Sequence, residues 1–161
     1  MNVVASVLLT ALVAGTALAG SFTLRSPDVT DGATLKLEHV YNSFGCTGKN
    51  IAPALTWAGE PAGTKSFAVT VYDPDAPTGS GQPGGPTLPT GAVQTMTDFG
   101  QPGFGGACPP PGDKPHRYIF TVWALKTDKL ALPASASGAM VGYNLNGNAL
   151  GKATITATYG R

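Results

Sequence analysis

The chain has 161 residues, 42% of them hydrophobic and 12% charged, with 22 glycines and 14 prolines. So little charge and so many turn formers argue against a helical bundle. They favour a β-rich, loop-heavy single domain that can bury one core. The formal net charge is +1 and no two Lys or Arg residues are adjacent, so the electrostatic footprint of a nucleic-acid binder is missing.

The first nineteen residues carry no charged side chain, and the apolar run from Val3 to Leu18 is short and rich in Gly and Ala. Ala17-Leu18-Ala19 fits a small-x-small cleavage site, so residues 1–19 read as an export signal with Gly20 opening the mature chain. No Lys or Arg precedes the apolar run, and a membrane anchor or a mis-set start site is the alternative. Export implies a periplasmic or secreted domain with no membrane span once the signal is cleaved.

Phe22 to Ser26 predicts a short strand that stops at Pro27, followed by a turn over 28–32. Residues 34–41 alternate like a half-buried strand, with Leu35, Leu37, His39 and Tyr41 on one face. His39 has no acid partner or second His at ligand spacing and reads as a packing or surface residue. A Gly-rich loop over 42–53 precedes a short strand at 54–57. A turn at 59–64 leads into Ser66–Tyr72, a β-branched and aromatic strand.

That strand runs into Asp73-Pro74-Asp75-Ala76-Pro77, where two acids are fixed by two prolines. Such a loop can present a carboxylate to a pocket, although Asp75 also reads as a simple turn former. Residues 78–91 hold no apolar run and read as loop. Ala92–Thr97 alternates like a strand. The glycine-rich segment after it offers Phe99 and Phe104 as loop anchors.

Ala107-Cys108-Pro109-Pro110-Pro111-Gly112-Asp113-Lys114-Pro115 is a stiff loop. Its prolines lack backbone donors and hold φ near −65°, so it cannot enter a sheet interior. It feeds a strand over 117–126. His116 and Tyr118 sit two residues apart at the strand mouth, hence on one face beside the rigid loop. Residues 133–145 form the only plausible helix, weakened by Gly138 and Gly142. Lys152–Tyr159 is a closing strand of strict alternation.

Cys46 and Cys108 both follow the export signal and lie in loops. In an oxidising compartment they are most simply a disulfide; two reduced thiols remain the alternative. Neither has His or Cys neighbours at metal spacing, so no metal and no cofactor is expected.

Four stretches resemble the phosphatidylethanolamine-binding protein family, in its bacterial Raf-kinase-inhibitor-like branch. They are Phe44–Trp57, Tyr72–Gly81, Gly105–Tyr118 and the end Ala157–Arg161. The Asp-Pro-Asp-Ala-Pro and Pro-His-Arg-Tyr runs resemble its two signatures, and the likeness covers nearly all of residues 20–161. It implies an antiparallel β-sandwich with a small C-terminal helical segment and a pocket for phosphate or a phospholipid head group. Asp73 and Pro77 would come from the first signature, and Pro109, Pro110, His116 and Tyr118 from the second. Tyr118 and a protonated His116 can donate hydrogen bonds to a phosphoryl oxygen, with prolines as a dry wall and Asp73 orienting the histidine.

One family element has no counterpart. The strand carrying a second pocket histidine is absent after Gly81, where Gln82-Pro-Gly-Gly-Pro86 leads straight to Thr87. His116 is then the only histidine matching the pocket, and the sheet must close up or leave a gap. The leading expectation is a non-enzymatic, small-anion-binding or kinase- or protease-inhibitor-like module whose pocket the loss impairs. A pocketless shortened paralogue acting on a protein partner is the second reading. A hydrolase using His116 with Asp73 is the third, with Thr78, Ser80 or a reduced Cys108 as conceivable nucleophile but no Gly-x-Ser-x-Gly elbow.

Overall fold

The computed structural model describes residues 20–77, 81–82 and 91–161. The expected export signal at 1–19 therefore lies outside the described residues, as do Thr78, Ser80 and most of the 78–91 loop.

The architecture is mainly β. Strands β1 (Thr23–Arg25) and β2 (Thr56–Ala58) pair antiparallel as a small sheet. A four-stranded antiparallel sheet contains β3 (Ser66–Tyr72), β4 (Gly81–Gln82), β5 (His116–Leu125) and β6 (Ala149–Tyr159), in the order β4-β3-β5-β6. β5 is flanked on both sides, as its β-branched and aromatic run requires.

Alternation along β5 divides the packing between the two faces of the sheet. Tyr118, Phe120 and Val122 join Val71, Ile155 and Ala157 in a core that Leu24, Val29, Leu35 and Val40 cover from the small sheet and its loops. Trp123 and Leu125 point the other way, against Val141 and Leu145 of helix α1 (Gly138–Asn148). Three glycines make α1 a poor helix on propensity. Burial of Val141 and Leu145 compensates, and Ser137 caps the first turn by accepting from the Met140 backbone N–H.

Three expectations fail. Residues 34–41 are not a strand: Leu37–His39 form a 3-10 turn, Leu37 is exposed, and His39 is buried. Their backbone bonds are divided: Leu35 N donates to Thr158 O of β6, His39 O and Tyr41 N bond Ala107, and Lys49 N, Ile51 N and Asn50 N of the following loop donate to Leu37 O, Glu38 O and Val40 O. Satisfying these groups in this way outweighs the alternating pattern. Ala92–Thr97 is not a strand either. Only Met96 bridges, to Pro102, since the glycines and proline that follow cannot extend a ladder. Within the expected 78–91 loop, Gly81–Gln82 pair with Tyr72 and Val71 as β4.

Among the described residues, β4 covers only the last two residues of β3. Along the rest of β3 lies a largely apolar hollow of about 590 Å³. Trp57, Phe67, Val69, Phe120, Leu132 and Val141 are among its walls. Phe67 stands on its rim, 40% exposed, with its ring centroid 5.4 Å from Trp57 and 6.3 Å from Phe22.

Candidate functional site

The two proline-stiffened stretches meet. β3 ends at Tyr72, and Asp73 Oδ1 accepts from the backbone N–H of Asp75 at 2.9 Å and of Ala76 at 3.0 Å. This Asx turn directs the other oxygen inward, where Asp73 Oδ2 lies 2.9 Å from His116 Nδ1. Asp75 faces outward and ties the loop to β5. It accepts from the Arg117 backbone N–H and Nε at 2.9 Å each, and from a terminal guanidinium nitrogen at 2.7 Å. Asp75 is thus more than a turn former; the pairing was invisible in sequence because the partners are 42 residues apart.

The opposite wall is the proline loop, fastened at several points. Cys46 and Cys108 form a disulfide across 62 residues. The Arg161 guanidinium donates to Pro109 O at 2.7 Å, Gly45 O at 2.8 Å and Phe44 O at 3.3 Å. Gly112 N donates to Arg161 O at 3.1 Å. The C-terminal residue thereby fixes both edges of the wall.

Between the walls lies a hollow of about 200 Å³. Asp73, Pro77, Pro109, Pro110, His116 and Tyr118 all line it. Sequence reasoning did not pick Val71, Ala76, Asp98, Gly105 or Gly106, which also line it. Phe99, read as a loop anchor, is a wall residue too.

His116 and Tyr118 are both buried. Burial works against a charged imidazole at His116. The Asp73 hydrogen bond and charge, with Asp113 Oδ2 3.5 Å from Nε2, outweigh it and raise the histidine pKa above its ordinary value. Burial also pushes the Tyr118 phenol well up, and the Asp73 charge adds to the effect. Tyr118 therefore remains a neutral O–H donor across the physiological range. Its hydroxyl is buried with no partner at full hydrogen-bond geometry, and looser hydrogen-bonding approaches to the Asp73 carboxylate and the Cys108 backbone act on its pKa. Asp75 is held well below the usual carboxylate range by its hydrogen bonds from Arg117.

His39 stays outside this site. Its Nδ1 lies 2.7 Å from Ile51 O, consistent with an N–H that pins the 46–51 loop. Among the described residues no three His, Cys, Asp or Glu side chains converge as metal ligands.

The family described as phosphatidylethanolamine-binding protein matches residues 25–160. This chain belongs to that family. YbcL of Escherichia coli (strain K12) is 50% identical over 170 aligned positions, covering 92% of this chain and 93% of the relative. YbhB of the same organism is 46% identical over 156 positions, covering 84% and 98%. The crystal structure of E. coli YbcL, described as a new member of the mammalian PEBP family, superposes with a TM-score of 0.83 at 52% identity. That superposition covers 88% of this chain and 99% of YbcL. A Mycobacterium tuberculosis relative named as a lipoprotein, LppC, is 33% identical over 85% of this chain and 71% of its own.

The match to YbcL carries a further fact. It spans 170 positions, yet 92% of 161 residues is only about 148. Some twenty positions of that relative have no counterpart here, in keeping with a family element missing from the sequence.

Proposed function

We propose that this domain is a non-enzymatic binding module for phosphate or a phosphorylated head group, acting in the inhibitor-like manner of its bacterial branch. One observation carries the proposal: the Tyr118 hydroxyl is buried at the wall of the hollow with no partner. A buried donor left unpaired costs about 1–3 kcal/mol, and a ligand oxygen would recover it. His116, raised in pKa by Asp73, supplies a second donor when protonated. Two proline walls keep water from competing.

The lining favours binding over turnover. Among the described residues, the hollow has no Ser, Thr or Lys, and its cysteine is in the disulfide. The histidine–carboxylate pair therefore has no nucleophile to activate there. The disulfide and the lipoprotein-named relative support a periplasmic or secreted location.

A thermal-shift titration with inorganic phosphate at pH 6 tests the reading. At ten times Kd the gain is about 1.4 kcal/mol, a rise of several degrees in Tm. Tyr118→Phe, which removes only the hydroxyl, and His116→Ala should each abolish most of the rise. A flat titration at millimolar phosphate would sink the proposal. A flat titration together with cooperative unfolding would favour the shortened-paralogue reading, in which the domain acts through a protein partner. The apolar hollow along β3 favours that second reading.

A further inference from the structure

Strand β3 is paired unequally on its two sides. All seven of its residues pair with β5, but among the described residues only Val71 and Tyr72 pair with β4. Ser66 to Thr70 therefore present a row of N–H and C=O groups that face away from β5 with no ladder partner among those residues. Ser66, Phe67, Ala68, Val69 and Thr70 all line the larger hollow. Backbone polar groups set against an apolar space call for a neighbour that brings its own N–H and C=O.

The sequence after β4 is ill suited to supply one. Gln82 is followed by Pro83-Gly84-Gly85-Pro86. Proline has no N–H for a ladder, and glycine has no side chain to fill an apolar gap.

Both faces of the sheet are apolar at this edge. Trp57 and Phe120 wall the hollow from one face, and Leu132 and Val141 from the other. A strand covered on both faces is a continuous apolar run rather than an alternating one. The mouth at the Ser66 end is charged. Ser66 Oγ donates to Thr127 O at 2.6 Å, which holds the turn carrying Asp128 and Lys129 against β3. Asp128 lies 3.9 Å from Lys65, and among the described residues no acid is paired with Lys129.

We infer that the Ser66–Thr70 edge accepts an extended, continuously apolar segment of a partner protein, antiparallel to β3 in the line of β4, with a carboxylate at its C-terminal end beside Lys129. Main-chain bonds to the edge supply affinity, and the walls select the side chains. Charge sets the direction, because the C-terminal end of an antiparallel strand meets Ser66. An acyl chain fills the space but leaves the β3 groups unpaired. A second copy presents the same hollow, and two concave edges do not fill each other. This inference goes beyond phosphate binding. The two hollows share only Val71 among their described walls, so neither result decides the other.

The test uses a Val-Ile-Val-Ile-Val peptide with a free carboxylate, a solubilising N-terminal glycol tag and a fluorophore, followed by anisotropy. Two further peptides are N-methylated at the third or the fourth residue. Only one of these positions aims its N–H at β3, so one should bind about tenfold more weakly than the other. A C-terminal amide should bind about threefold more weakly than the free carboxylate. Lys129→Gln, an exposed change that leaves the fold intact, should erase that difference. Hydrogen exchange should show the outward amides of Ser66–Thr70 open in the free protein and protected by the peptide.

Equal affinity of the two N-methylated peptides overturns the inference, since no ladder then forms. Palmitate displacing the peptide at a lower concentration than unlabelled peptide does gives the hollow to an acyl chain and also overturns it. Edge amides already protected without peptide overturn it too: in a monomer the chain covers its own edge, and in a dimer a second copy does. No binding at millimolar peptide ends it outright.

Discussion

β3 has two very different surroundings. At its C-terminal end, the charged groups have assigned neighbours. Asp73 holds His116, Asp75 grips Arg117, and the facing loop is fixed by Cys46–Cys108 and by Arg161. Along its flank the strand meets an apolar hollow almost three times the size of the polar one, with β4 pairing, among the described residues, to Val71 and Tyr72. The polar end is specified pair by pair, through contacts that span more than 40 residues. The apolar flank is bounded by packing alone, through Trp57, Phe67, Val69 and Phe120.

Breaking the disulfide tests the polar end most severely. The loop it closes gives about 4 kcal/mol of stabilisation in the chain-entropy account. Cys46→Ala with Cys108→Ala should therefore lower the urea midpoint sharply and cancel any phosphate-induced rise in Tm. A double variant as stable as the parent would mean that Arg161 alone holds the wall.

Protonation at His116 comes next. Its folded-state pKa is raised, so its contribution to stability is fully present below about 6.5 and is lost as pH rises through the folded value. The stability difference between the parent and His116→Gln should thus grow as pH falls from 8 to 6. Asp73→Asn should flatten that dependence. Equal pH profiles in parent and His116→Gln would show that Asp73 does not charge the ring.

The smallest effect belongs to the flank. Phe67 is 40% exposed on the rim of the larger hollow. Phe67→Ser should cost only about 1 kcal/mol in urea unfolding, from partial burial and its ring contacts with Trp57 and Phe22. It should also reduce fluorescence from a hydrophobic dye in the native state. A loss of 3 kcal/mol or more, the range of a core Phe, would show the flank to be closed and well packed.

Which parts were legible follows from the range of the interactions. The Ser66–Tyr72 strand was readable residue for residue, and β5, expected over 117–126, runs one residue earlier as His116–Leu125, because β-branched and aromatic residues between prolines leave little else to form. The pocket wall was readable because three prolines dictate their own backbone. The alternating segments 34–41 and 92–97 misled. Their pattern was right for strands, but each makes only isolated bridges, Thr34 to Thr158 of β6, Val40 to Ala107 and Met96 to Pro102. Leu37–His39 and Met96 found backbone partners in nearby loops instead.

By itself, the sequence determined the antiparallel β framework, the stiffness of the two loops and the placing of His116 and Tyr118 on one face, since all three depend on local backbone preferences and a period of two. Only the tertiary structure decided that Asp73 Oδ2 meets His116, that Asp75 belongs to Arg117, that Arg161 returns to clamp Phe44 and Pro109, and that Tyr118 is left with an unanswered hydroxyl. Those are meetings between side chains dozens of residues apart, and nothing short of the packed sheet brings them within hydrogen-bond range.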